Sequence, residues 1–218
     1  MTKEQMCNRY AIKSTLSELR RLMELIELDL VTTSATANLG EEDVYPDQDA
    51  SILRPSSAGK IELAKLRWGF PEAKPKARPI TNIRNLNSSW WRNVNGQYLM
   101  QPEYRCLVPF TAFAEPPFKP TWFGKPDQST AFFAGIWRPW HGERLMPVEG
   151  KKRRQRVEGD YELFSFLTTE ANSIVRPVHE KAMPVILTEP TEWTEWLSGG
   201  RESLRLQRPL RDDQFTVV

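Results

Sequence analysis

YRCLVPF at residues 104–110 and TAFFAGIW at 130–137 are apolar runs of strand length, with the Pro-rich segment EPPFKP at 115–120 between them. Both read as buried strands joined by an irregular connection. LFSFL at 163–167 and PVIL at 184–187 repeat the pattern. IELAKLRW at 61–68 mixes apolar with charged residues, as a half-buried strand does, and EAKPKARP at 72–79 is a second Pro-rich connection. Clear helical periodicity is confined to one segment. Leu16, Leu19, Met23, Ile26 and Leu30 recur at spacings of three and four, which predicts a core-facing helix over 14–30 with Thr15 and Glu18 as its capping box. Shorter helices are predicted near 170–175 and over 191–197. Strand runs without regular strand–helix alternation point away from a doubly wound fold and predict the α+β class.

Composition narrows the function classes. A chain of 218 residues suits one large domain, and 39% hydrophobic with 27% charged residues is enough to bury a core. Net charge is only +2, which excludes a histone-like polycation but leaves room for a local basic groove. Cys7 and Cys106 are too few for a disulfide framework or a four-cysteine zinc site, and a reducing, cytoplasmic compartment follows. No apolar stretch approaches the ~20 residues of a membrane helix, and MTKEQM at 1–6 has no apolar signal region. The one charge block, KKRRQR at 151–156, reads as a solvated loop with non-specific, salt-dependent attraction for phosphate. Eight tryptophans and seventeen prolines leave aromatic surface available for stacking on a loop-rich fold. Trp90-Trp91 fits either base stacking or a loop anchored to the core.

Candidate chemistry lies where polar residues stand in apolar surroundings. Cys7 heads CNRY, Asn82 and Arg84 sit in PITNIRN, Glu115 ends VPFTAFAE, and His179 precedes an apolar strand in RPVHEKAMPVIL. Singly, each has an ordinary structural reading: a small core residue, a turn, a strand end, a loop histidine. Cys106 lies within an apolar strand and reads as buried and inert. His141 reads as a turn residue, and two histidines without matched cysteines give no zinc site. No cofactor is called for.

In order, these residues resemble the SOS response-associated peptidase (SRAP) family. Its members begin Met-Cys-Gly-Arg-Phe/Tyr, matched by MCNRY at 6–10. A Trp-Gly pair follows at Trp68-Gly69, then Asn-Ala-Arg as Asn82-Ile83-Arg84. The family's Arg-Cys-Leu-x-Pro and Phe-Tyr-Glu-Trp correspond to RCLVPFTAFAEP at 105–116, and Ala-Gly-Leu-Trp to AGIW at 134–137. LTTEAN at 167–172 and a His before Met-Pro-Val-Ile-Leu, here His179 and MPVIL at 183–187, complete the series.

The resemblance implies a single domain with a curved, barrel-like, mainly antiparallel sheet and a few flanking helices. It also implies a DNA-repair function: a monomeric sensor of abasic sites in single-stranded DNA, nucleoid-associated when bound. The N-terminal cysteine would condense with the aldehyde of the ring-opened sugar to give a thiazolidine crosslink. An α-amine, with a pKa near ~7.7–8.0, is far more often neutral than a lysine amine at pH 7. The β-thiol then closes a five-membered ring that resists the hydrolysis an imine suffers. By the same resemblance Glu115 is the general acid/base and His179 assists ring opening, an imidazole of ordinary pKa near ~6.5 being suited to proton shuttling. Asn82 holds the N-terminus and lesion. Arg9 and Arg84 clamp flanking phosphates, Trp68 wedges or stacks at the kinked strand, and Pro46 and Thr168 either line the DNA channel or are plain loop and strand-end residues.

The chain departs from the family pattern in ways that bear on this chemistry. MTKEQM precedes Cys7, so translation starts at Met6 or residues 1–6 are removed, an autocatalytic route being attack of the Cys7 thiol on the Met6 carbonyl. The domain proper is then 7–218. Asn8 replaces Gly, the second Trp after Trp68-Gly69 is missing, Pro116 follows Glu115, and HEKAMP carries one extra residue. Two other readings stay open: a cysteine hydrolase built on Cys7, His179 and Asn82, and a non-covalent single-stranded DNA-binding module.

Overall fold

The structure, a computed structural model, describes residues 8–34, 36, 39, 43–57, 59–71, 78–115, 120–146 and 148–218. The strands are β1 (Tyr10–Ala11), β2 (Asp29–Val31), β3 (Asp43–Val44), β4 (Asp49–Pro55), β5 (Lys60–Trp68), β6 (Asn82–Ile83) and β7 (Arg105–Phe110). They continue with β8 (Ala112–Glu115), β9 (Thr121–Gly124), β10 (Ala131–Met146), β11 (Gln155–Thr169), β12 (Met183–Pro184), β13 (Ile186–Leu187) and β14 (Thr216–Val217). Helices α1 (Leu16–Glu24), α2 (Ser89–Met100) and α3 (Pro190–Leu197) flank them.

β5, β4, β7, β10 and β11 pair in that order, and β11 returns to β5 through the parallel pairs Leu163–Arg67 and Phe164–Trp68, closing a five-stranded barrel. A second sheet runs β14–β9–β8–β1–β3. The run RCLVPFTAFAE serves both, leaving the barrel at Phe110 and entering the second sheet at Ala112. At the bend the Thr111 N–H donates to the Ala11 carbonyl at 2.8 Å.

Barrel strands are covered on both faces, which explains their near-continuous apolar composition. Cys106, Val108 and Phe110 of β7 join one buried cluster with Trp68, Phe133, Phe164 and Phe166, while Leu107 joins a second with Leu53, Phe132, Trp193 and Trp196. The strand period of two thus sorts alternate residues into the barrel and under the helices. Phe110 stacks on Phe133 with centroids 3.8 Å apart. Gly135 is required there: a Cβ would sit 2.7 Å from Cys106 Sγ.

Several boundaries differ from the sequence expectation. The first helix stops at Glu24, and Leu30 lies in β2. Glu27 adopts a left-handed φ of 59° and the Leu28 N–H returns to the Met23 carbonyl at 3.1 Å, a Schellman-type stop. Thr15 does cap the helix, accepting from the Glu18 N–H, but the Glu18 carboxylate accepts instead from Thr130. Residues 173–178 form turns instead of a helix, held by the Val175 N–H on Asn172 Oδ1. The run 61–68 is more than half-buried, since β5 is an internal barrel strand. Trp91 belongs to helix α2 and stacks on Phe70, so no loop stands there. Among the described residues no helix is long and apolar enough to cross a membrane.

Candidate active site

Short strand β1 is fixed by its neighbours. Tyr10 stands opposite Phe113, and the Arg9 carbonyl accepts the Ala114 N–H at 2.9 Å. That register runs the chain immediately after Cys7 alongside the end of β8, where Glu115 is buried with 1% of its surface exposed. Cys7 itself lies outside the described residues, as do leader residues 1–6 and Pro116.

The Tyr10 ring descends into the barrel end and meets Trp68 edge-on at 5.0 Å and Phe133 at 5.6 Å. Trp68 Nε1–H donates to the Thr81 carbonyl at 3.2 Å, and the Asn82 amide donates to the Thr81 hydroxyl at 2.8 Å. A continuous set of contacts therefore ties the N-terminal strand to Asn82. β6 in turn pairs with β11, Asn82 opposite Phe166.

Trp68 is correspondingly not a DNA wedge. It is fully buried and lies nearly parallel to Phe166 at 5.3 Å and to Phe164 at 6.5 Å, so neither ring face is open to a base. As the last residue of a strand covered on both sides it falls on the core face, and its role is to support Tyr10 and Thr81. The Thr168 side chain is likewise buried, at 1% exposure, between β6 and β12, so it does not line an open channel.

Past the end of β11, His179 Nδ1 stands 2.8 Å from the Ala182 carbonyl oxygen and 3.3 Å from the Ala182 nitrogen, which holds the ring against its own loop. Arg84 donates to the Lys181 carbonyl, binding β6 to the loop that carries His179. Gln207 adds a bridge, donating to the Arg84 carbonyl at 2.9 Å and the Thr168 carbonyl at 3.0 Å. Asn82, Arg84 and the His179 loop thus share one end of β11, with Trp68 and Tyr10 between them and the Arg9–Glu115 corner.

Arg9 is exposed in part and already engaged. It pairs with Asp43 and lies over Trp122 at 4.8 Å and Tyr45 at 5.3 Å. Pro46, half-buried, follows Tyr45 in a turn whose Asp47 has a left-handed φ of 63°. A cleft of about 410 Å³ opens beside this group, lined among others by Arg9, Lys13, Asp43, Thr111 and Trp122. Sequence reasoning missed Asp43, Tyr45 and Trp122. They lie outside the quoted motifs, and only strand pairing brings them to Arg9.

The remaining candidates are accounted for. His141 is no turn residue. It sits on β10 opposite Asp160, whose carboxylate, at 2.8 Å, holds the imidazole above its usual range, with Glu158 adding to the effect. Cys106 is fully buried, and burial pushes its thiol well up from the ordinary range. Arg105 beside it is lowered to about 10 by burial and lies over Trp196 at 3.8 Å. Cys106 is accordingly expected to be silent. A Cys7→Ala variant should show no reactive thiol towards an aromatic disulfide reagent when native and one after denaturation; rapid native reaction would contradict the burial argument.

A profile of the SOS response associated peptidase (SRAP) family matches residues 6–218. Among solved structures, a protein from Bordetella bronchiseptica superposes with a TM-score of 0.67 at 20% identity, over 97% of this chain and 99% of that one. A protein from Bacteroides thetaiotaomicron gives 0.65 at 17% identity, over 96% and 90%. A phage-related protein from B. bronchiseptica gives 0.61 at 19%, over 96% and 92%. These likenesses establish the shared fold. No curated protein matches the chain.

Proposed function

Since the chain belongs to the SOS response-associated peptidase family, we propose that it captures abasic sites in single-stranded DNA through Cys7, once residues 1–6 are absent. The observation that carries this reading is the β1–β8 register, which leads the chain back from Arg9 along the strand end holding buried Glu115.

The reaction balances with loss of one water. His179 assists opening of the sugar hemiacetal, moving the hydroxyl proton to the ring oxygen and freeing the C1 aldehyde. The neutral Cys7 amine adds to that carbon. Glu115 protonates the resulting hydroxyl, which leaves as water and gives the imine. The thiol sulfur then attacks the imine carbon and its proton passes to nitrogen, closing the thiazolidine. Only a terminal cysteine presents both groups to one carbon. Asn82, anchored through Thr81, orients the reacting end, and Arg9 and Arg84 meet the flanking phosphates. Trp68 acts as a positioning residue from below.

The leader must be absent before capture. Alternative initiation at Met6 with methionine removal would suffice. So would self-cleavage, in which the Cys7 thiol attacks the Met6 carbonyl, the Cys7 nitrogen leaves with a proton from Glu115 or His179, and water hydrolyses the thioester.

The test is to incubate chains starting at Cys7 and at Met1 with single-stranded DNA carrying one abasic site, and to resolve them on denaturing gels. A heat-stable band is expected whenever Cys7 is terminal and is lost in Cys7→Ala. A band of equal yield in Cys7→Ala would overturn the proposal. Turnover of peptide esters without an adduct would favour the hydrolase reading, and binding that vanishes on denaturation a non-covalent module.

A further inference from the structure

The basic block of the sequence occupies a distinctive place in the fold. The inner halves of β10 and β11 belong to the barrel, but Pro139–Met146 and Gln155–Glu162 pair only with each other and form a two-stranded ribbon. The ribbon is a built element. Trp140 faces Tyr161 across it with ring centroids 6.0 Å apart, and the two glycines Gly142 and Gly159 stand opposite one another. A Cβ on Gly142 would sit 2.3 Å from the Trp140 ring, so the glycine makes room for the indole to lie along the strand. His141 bridges to Asp160, and Arg144 lies over Trp140 at 5.1 Å.

The turn at its end carries Lys151, Lys152, Arg153 and Arg154, all exposed, with Arg156 just beyond. From Glu149 to Arg156 five basic residues stand against one acidic residue, a local excess of positive charge larger than the +2 of the whole chain. Among the described residues, Arg156 pairs with Glu143 at 3.8 Å, whereas the other four make no ion pair. The turn from Glu149 to Arg156 has no apolar side chain, and the exposed apolar residues of the ribbon, Leu145 and Val157, stand behind it. Protein interfaces need an apolar or aromatic centre, while a phosphodiester backbone needs only regularly placed cations. Arg154 also borders a cleft of about 390 Å³ with Asp43, Asp47 and Arg67, and Asp43 borders the Arg9 cleft as well. The turn therefore faces the same surface as Arg9.

We propose that this ribbon is an electrostatic arm that holds the phosphodiester backbone of a nucleic acid outside the Arg9–Glu115 corner. Its action is independent of any lesion, so it goes beyond the capture chemistry and is tested without it. The probe is a labelled, lesion-free oligonucleotide, single-stranded or as its duplex, titrated by fluorescence anisotropy between about 50 and 200 mM salt. In K151Q/K152Q/R153Q, with Arg154 left in its cleft, affinity should fall at least about ten-fold at the low-salt end. The slope of log affinity against log salt should flatten by about 2.7 on duplex or about 2.1 on single strand if all three contacts are lost. The charge-retaining K151R/K152R/R153K should bind as the parent does. Unchanged slope and affinity in the neutralised chain, equal loss in the charge-retaining chain, or parent binding of polyglutamate as tight as DNA would each overturn the proposal. Failure of crosslinking in the Cys7 assay would leave these readings untouched.

Discussion

Replacing Glu115 by Gln in the chain that starts at Cys7 is expected to slow adduct formation by ~10²–10⁴-fold, the usual worth of a positioned general acid/base. Glutamine keeps the shape and can still accept and donate hydrogen bonds, but it cannot carry a proton to the departing hydroxyl. Because Glu115 is almost fully buried at the end of β8, bulk buffer is poorly placed to substitute for it. Single-turnover time courses on denaturing gels give the rate directly, and circular dichroism reports whether β8 remains in place. A rate within about three-fold of the parent, in a folded protein, would remove Glu115 from the chemistry.

Trp68→Ala should cost about 3–5 kcal/mol of stability, the range for emptying a buried aromatic site. Against a total of ~5–15 kcal/mol for a domain, this is a large share, and the urea midpoint should fall accordingly. The reason is local: the indole contacts Tyr10, Phe164 and Phe166 and satisfies the Thr81 carbonyl. Trp68→Phe keeps most of the packing and loses one hydrogen bond, worth about 0.5–1.5 kcal/mol. Were Trp68 a surface wedge, the alanine variant would melt like the parent and lose only DNA affinity.

Trp68 also shows how far the sequence could be read. The family pattern located the residue, and IELAKLRW identified its strand. Yet neither could show that β11 returns to β5 and covers it, because barrel closure is a pairing between residues some hundred positions apart. The same limit separates the halves of β10 and β11. Their inner portions, TAFFAGIW and LFSFL, are apolar because helices and barrel enclose them, and so they were legible. The outer portions hold glycine, proline and charge, and their strand character comes from cross-strand pairs such as Trp140–Tyr161. Helix α2 was invisible for a related reason. SWWRNVNGQYLM has no clean amphipathic stripe, and it forms under the cap of Ser88 Oγ on the Trp91 N–H, with Trp91 buried against Phe70. Of the candidate site, the family's motifs were readable in order along the chain. The surroundings of Arg9 were not, because Asp43 and Tyr45 come from one segment and Trp122 from another, both distant from Arg9 in the chain.

The chemistry stands or falls on which atoms carry the DNA. After reaction of the Cys7-initiated chain with abasic single-stranded DNA, nuclease trimming and proteolysis, tandem mass spectrometry of the N-terminal peptide reads this out. Capture through Cys7 predicts, without any reductant, a sugar remnant on residue 7 at the summed mass less one water, with its sulfur closed to thiol alkylation. A remnant on a lysine, or one retained only after borohydride reduction, would contradict it.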